Sequence, residues 1–175
     1  MGSKEISLLI VLLVVEIDCK FEFTNFECTS FKKSLGDFEY CYLKSMNRSY
    51  KYISGRYKLN QIPFMNFKIN FILWKRLSGY KPFLYNITID ACRFLGNPKS
   101  NPVMKYVFDS FQEYSNINHS CPYSHDLILE KLPIDFMNHR VTEILPIPEG
   151  SYLIQLRWIQ SKSLIAEMKI YCNIS

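Results

Sequence analysis

Gly79-Tyr80-Lys81-Pro82-Phe83-Leu84-Tyr85-Asn86-Ile87-Thr88-Ile89-Asp90-Ala91-Cys92 reads as a turn followed by a strand that ends in a cysteine. Phe83, Tyr85, Ile87, Ile89 and Ala91 share one parity, so an extended chain places them on one face. Asn86 and Thr88 point the other way, inside an Asn-Ile-Thr glycosylation acceptor. A strand covered on both sides reads as a continuous apolar run; this alternation predicts an antiparallel sheet with one wet face.

The neighbouring segments repeat the signal. Phe67, Ile69, Phe71 and Leu73 alternate with Lys68 and Asn70, and the turn at Leu77–Tyr80 predicts a hairpin with the strand above. Phe21–Thr24 starts an earlier strand that continues through Phe26 and Cys28 past an irregularity at Asn25. Phe38–Lys44 and Tyr50–Leu59 read as two more, with Gly55 marking a bulge or a close approach. After Cys92 the period changes. Asn101 can cap a helix with Pro102 in its first position, and Val103, Tyr106, Val107, Ser110, Phe111 and Tyr114 follow helical spacing, which predicts a helix over 102–114. Strands are expected again at Leu127–Leu132, Arg140–Leu145, Tyr152–Trp158 and Leu164–Cys172. The expected class is all-β: a two-sheet antiparallel sandwich or cup, immunoglobulin-like, with one helix.

Residues 1–19 differ from the rest. Lys4 precedes an apolar run from Ile6 to Val15, too short to span a bilayer and arranged as a secretory signal peptide. A membrane anchor or a buried first strand is the alternative. Residues 20–175 are then expected to form one domain in the secretory pathway or outside the cell. The chain's charge of +5 would rise to +7, because the leader holds Lys4 against Glu5, Glu16 and Asp18. A basic excess favours anionic surfaces or acidic glycans. Nucleic acid is not an expected partner: Lys32-Lys33 and Lys75-Arg76 are the only adjacent basic pairs, and no finger or helix-turn-helix pattern occurs. Acceptors at Asn47, Asn86 and Asn118, with a doubtful one at Asn173, agree with export.

Five cysteines follow the leader, so one is left over after two disulfides. Cys92 and Cys121 flank the helical insertion and are the favoured pair. Cys28 and Cys172, near the chain ends, come second, leaving Cys41 free; Cys28–Cys41 stays open. His119, Cys121, His125 and Asp126 form the one cluster with catalytic or metal potential, but their spacing matches no zinc signature. Loop hydrogen bonding and a His–Asp contact is the expected role. No Gly-x-Ser-x-Gly elbow, phosphate loop or His-Glu-x-x-His helix is present. No catalytic residue, cofactor or metal is expected.

Phe23-Thr24-Asn25, Cys28, Cys41-Tyr42-Leu43-Lys44, Asn47-Arg48, Gly79–Asn86, Asp90-Ala91-Cys92, Tyr114–Tyr123, His125-Asp126 and Leu145–Gly150 together resemble a large insect family of secreted proteins of undetermined function, expanded in flies. The resemblance covers about residues 21–172 and includes the cysteines at 28, 41, 92 and 121. It implies a relation to the lipid-recognition sandwich of the ganglioside-activator type, in which a lipid tail enters between splayed sheets, and to insect contact-chemosensory proteins. It carries no catalytic residue. The expected activity is binding of a lipid or hydrophobic semiochemical by a monomer, with a membrane receptor or an anionic surface as a further partner. Phe67, Phe71, Phe83, Tyr85, Ile87, Ile154, Trp158, Met168 and Ile170 are the expected cavity wall, each drawn from an alternating apolar face. The competing expectation is a solid-cored extracellular interaction or receptor-accessory module, since such faces also meet as ordinary cores.

Overall fold

The computed structural model describes residues 20–47, 50–144 and 147–175. The expected leader, 1–19, lies outside the described residues. Among the described residues eight strands follow in order: β1 (Phe21–Ser30), β2 (Gly36–Ser45), β3 (Lys51–Leu59), β4 (Phe67–Arg76), β5 (Tyr80–Asp90), β6 (Leu127–Pro133), β7 (Gly150–Gln160) and β8 (Ser163–Ile174). They make a five-stranded sheet, β1-β8-β7-β4-β5, and a three-stranded sheet, β2-β3-β6. Every pairing is antiparallel. This is the expected open, two-sheet β structure, consistent with a sandwich or cup.

The predicted hairpin is β4–β5, joined in register from Lys68–Asp90 to Arg76–Tyr80. β5 is an edge strand, which explains how Pro82 sits in it without costing a ladder bond. Along β5 half-buried and exposed residues alternate from Phe83 to Asp90, as the parity of the sequence requires. The register shifts between Ile72 and Trp74, where Leu84 adopts a left-handed φ of 59° and stands exposed. The irregularity expected at Asn25 is a bulge in the β1–β8 pairing between Phe23 and Asn25. Of the two features expected at Gly55 the bulge is present, since the β3–β6 register shifts beside it, whereas a Cβ there would make ordinary contact, 3.4 Å from the Phe26 ring.

Three short α-helices accompany the sheets among the described residues: α1 (Ala91–Gly96), α2 (Pro102–Asp109) and α3 (Ile134–Asn138). Asp90 caps α1 by accepting from Arg93 N at 2.9 Å, and Asn101 caps α2 by accepting from Met104 N at 3.0 Å. The helix expected over 102–114 ends at Asp109, because Ser110 turns back and its hydroxyl donates to Val107 O at 2.5 Å. Gln112–Tyr114 forms a separate 3-10 turn. The strand expected at Arg140–Leu145 is not formed among the described residues there. α3 runs instead into a π-helical turn, His139–Ile144, and Ile134, Met137 and Val141 bury one side at helical spacing.

The two inner faces and the helices share an apolar interior. Phe21, Phe23, Phe26, Ile53, Phe71, Leu73 and Tyr152 meet Phe94, Met104 and Phe108 from α1 and α2. Tyr57, Phe64, Phe67, Tyr123, Leu127 and Trp158 form an aromatic cluster beside it. Tyr57 packs against Gly36, where any Cβ would come within 2.6 Å of its ring, so that position requires glycine.

Cys92–Cys121 is bonded, as expected. The expected Cys28–Cys172 bond is corrected: Cys28 joins Cys41, and Cys172 is free and buried. β1 and β8 pair directly, but their register sets Cys28 opposite Met168 and Cys172 opposite Phe23, well apart along the strands. Cys41 on β2 faces Cys28 from the other sheet, so this bond ties the two sheets together.

Candidate functional site

A cavity of about 410 Å³ lies between the sheets and beneath α1 and α2. β4, β7 and β8 supply one wall through Phe67, Ile69, Phe71, Ile154, Leu156, Trp158, Met168 and Ile170. The opposite side comes from Phe38 of β2, Tyr57 of β3 and Leu127, Leu129 and Leu132 of β6. α1 contributes Phe94 and Leu95, and α2 contributes Met104, Val107 and Phe108. The lining is almost wholly apolar. Its serine hydroxyls are turned to backbone: Ser110 donates to Val107 O and Ser115 to Gln112 O at 3.5 Å. Tyr123 donates its hydroxyl to His119 O, and Tyr106 to Arg140 O. Tyr57 has a buried hydroxyl without a hydrogen-bond partner, and burial pushes its pKa up to about 12.

Seven of the nine wall residues expected from sequence line this space: Phe67, Phe71, Tyr85, Ile154, Trp158, Met168 and Ile170. Phe83 and Ile87 do not. Phe83 lies beyond the register shift of the β5 edge, its ring 5.8 Å from Tyr152 and beneath the Lys75 ammonium. Ile87 is half-buried and packs on the main core. The sequence reading missed the opposite wall, contributed by β2, β3 and β6, and the part contributed by α1. An Asp-x-x-Arg cap at Asp90–Arg93 was the available signal for α1.

Asp126 meets His125 through its backbone carbonyl, 3.0 Å from His125 Nδ1, so the expected His–Asp contact is made by the main chain. The Asp126 carboxylate accepts from Arg56 Nη2 at 2.7 Å and from Leu59 N at 3.0 Å. Burial opposes ionisation there, yet the Arg56 and Leu59 hydrogen bonds hold the carboxyl below its usual value. Among the described residues no group of three or more His, Cys, Asp and Glu converges as a metal site. Asn47, Asn86 and Asn118 are all exposed. Asn70 donates to Asn86 Oδ1 at 2.9 Å and to Thr88 Oγ1 at 3.0 Å, which orders that acceptor triplet on the outer face.

Residues 69–154 match the model of a family described as a protein of unknown function, DUF1091. The matched segment runs from β4 into β7. It therefore contains β5, the three helices, β6 and the Cys92–Cys121 bond, while Cys28–Cys41 lies outside it. No curated protein matches the chain.

Proposed function

We propose that this chain is a secreted, non-catalytic carrier of a lipid or similar hydrophobic small molecule, such as a semiochemical, held between its two sheets. The observation that carries this reading is the apolar cavity. Its volume of about 410 Å³ falls within the roughly 300–1,000 Å³ of small-molecule pockets. An occupant would meet aromatic and aliphatic walls with few free polar groups, so chain length and shape would govern selection more than hydrogen bonding. The Cys28–Cys41 and Cys92–Cys121 bonds suit an oxidising, extracellular setting. A receptor-accessory module with a solid interior would have no use for such a space.

The test is mass spectrometry of lipid extracted from the natively purified protein, followed by displacement of a fluorescent long-chain probe. Ile154→Trp and Met168→Trp place bulk into the cavity and should weaken probe binding at least about tenfold while the fold, followed by circular dichroism, is kept. Probe binding unchanged in both variants refutes the carrier reading.

A further inference from the structure

Among the described residues the cavity lining has one buried polar side-chain atom that nothing in the fold satisfies. Ser110, Ser115, Tyr106 and Tyr123 give their hydroxyl protons to backbone carbonyls. The Tyr57 hydroxyl is buried and meets no partner. Leaving such a group unpaired is costly, and native proteins rarely do so without a reason that lies in strain, chemistry or a bound molecule. Phenylalanine would fill the same place without the penalty, so packing alone does not account for the oxygen.

Tyr57 is held in place by its neighbours. Phe38 and Trp158 each meet its ring edge-on, with centroids 5.0 Å apart. Gly36 lies so close that a Cβ there would stand 2.6 Å from Cε1 and 2.7 Å from Cζ, the carbon that bears the hydroxyl. Asp37, next to Gly36 on β2, has its carboxylate paired with Lys33 Nζ at 3.1 Å. Burial and the Asp37 charge push the phenol up to about 12, so it stays a neutral donor at physiological pH. Tyr57, Phe38 and Trp158 line the cavity, as do Phe67 and Leu127 of the same aromatic cluster, which places the phenol at that end of the space. A donor fixed in this way loses little freedom when it engages an acceptor. An ionised head group is a poor match, since Phe38 and Trp158 offer it no counter-charge. An alcohol brings a donor of its own, for which the same two side chains have no acceptor. A carbonyl oxygen brings an acceptor and nothing else.

We propose, resting on the carrier reading above, that Tyr57 is the polar specificity residue of the cavity: its hydroxyl donates to the carbonyl oxygen of an uncharged long-chain ketone, aldehyde or ester, whose hydrocarbon chain fills the apolar remainder. Delipidated wild type and Tyr57→Phe are titrated with diphenylhexatriene, a fluorescent hydrocarbon without an acceptor. The probe is then displaced with methyl decyl ketone or with dodecane, a pair matched in carbon number. Both proteins should bind the probe and dodecane alike, while the ketone should displace it about tenfold less well from Tyr57→Phe. Loss of an unsatisfied hydroxyl should leave the urea midpoint of the delipidated variant unchanged or raised. Equal ketone affinity in the two proteins overturns the assignment and leaves the carrier reading standing. An equal loss for ketone and dodecane does the same, because it reports altered packing rather than a lost hydrogen bond. A lowered midpoint also overturns it, since the hydroxyl would then have a partner inside the protein, a held water included. Wild type that binds neither probe nor ketone removes the carrier reading itself, and the role of Tyr57 with it.

Discussion

Removing Cys92–Cys121 as the double variant C92A/C121A should cost more stability than removing Cys28–Cys41. The bonds span 29 and 13 residues of sequence respectively. Restriction of the unfolded chain grows with the logarithm of that span, giving about 3.6 kcal/mol for the longer loop and about 2.9 kcal/mol for the shorter. With a urea m-value of about 2 kcal/mol/M, C92A/C121A should unfold about 1.8 M earlier. Trp158 lies on the cavity wall and Trp74 is half-buried on β4, so equilibrium urea unfolding without reductant, followed by tryptophan fluorescence, reports on the sheet that backs the cavity. C172A serves as a control in which both bonds persist. A loss below about 1 kcal/mol, or a larger loss in C28A/C41A, would refute the reasoning. In the first case the insertion would already be held by Phe94, Phe108 and their neighbours. In the second, the tie between sheets would matter more than loop length.

Burial pushes the Cys172 thiol up to about 12, so iodoacetamide at pH 8 should leave Cys172 unmodified in the native protein and alkylate it in denaturant, as peptide mapping reads; rapid native labelling of Cys172 contradicts this. The lowered Asp126 carboxyl contributes stability above its unfolded pKa of about 3.9 that is lost as pH falls through the folded value. Urea midpoints of the wild type and Asp126→Asn should therefore differ at pH 6 and converge towards pH 2, and a constant gap sinks the assignment. Ser54 is fully buried and its hydroxyl accepts from Lys131 N at 2.8 Å. Ser54→Ala orphans that N–H and should cost about 1–3 kcal/mol in the same urea assay. Phe71→Ala should cost about 3–5 kcal/mol and enlarge the cavity, shifting probe preference towards longer chains; an unchanged preference would place the occupant elsewhere.

What could be read from sequence follows from how locally each feature is encoded. Parity along β5, β7 and β8 is a property of neighbouring residues, so the strands, their wet faces and the hairpin partner of β5 were legible. Asn101-Pro102 marked the start of α2 for the same reason. The end of α2 was not legible, because the aromatic stripe continues through Phe111 and Tyr114 while the backbone turns at Ser110. The strand expected at Arg140–Leu145 falls on the π-helical turn, because so short a span imitates alternation, and α3 before it went unassigned although Ile134, Met137 and Val141 keep a helical period. Pairing between sheets is less local still. Cys28 could reach Cys41 only because the chain leaves one sheet after β1 and opens the other with β2. The meeting of His119 and His125 has the same origin: their spacing resembles no signature, and the loop's hydrogen bonds bring the rings together.

Magnitudes also weigh on whether the interior is meant to be empty. Large-to-small substitutions in cores cost about 24 cal/mol per Å³ of space left behind. Carried over to about 410 Å³, that coefficient gives on the order of 10 kcal/mol, comparable to the roughly 5–15 kcal/mol that holds an ordinary domain folded. Water is a poor filler, since each buried molecule needs about two to four polar partners, and while the lining's Ser110, Ser115, Tyr106 and Tyr123 hydroxyls already donate to backbone, the unpartnered Tyr57 hydroxyl supplies one. An apolar occupant recovers the lost contacts with the same side chains that make the empty space costly. Stability and binding are then one quantity measured two ways. Delipidation should lower the urea midpoint, and re-addition of the extracted lipid should restore it in proportion to the logarithm of its free concentration. A midpoint indifferent to delipidation would mean that the walls close on themselves when emptied.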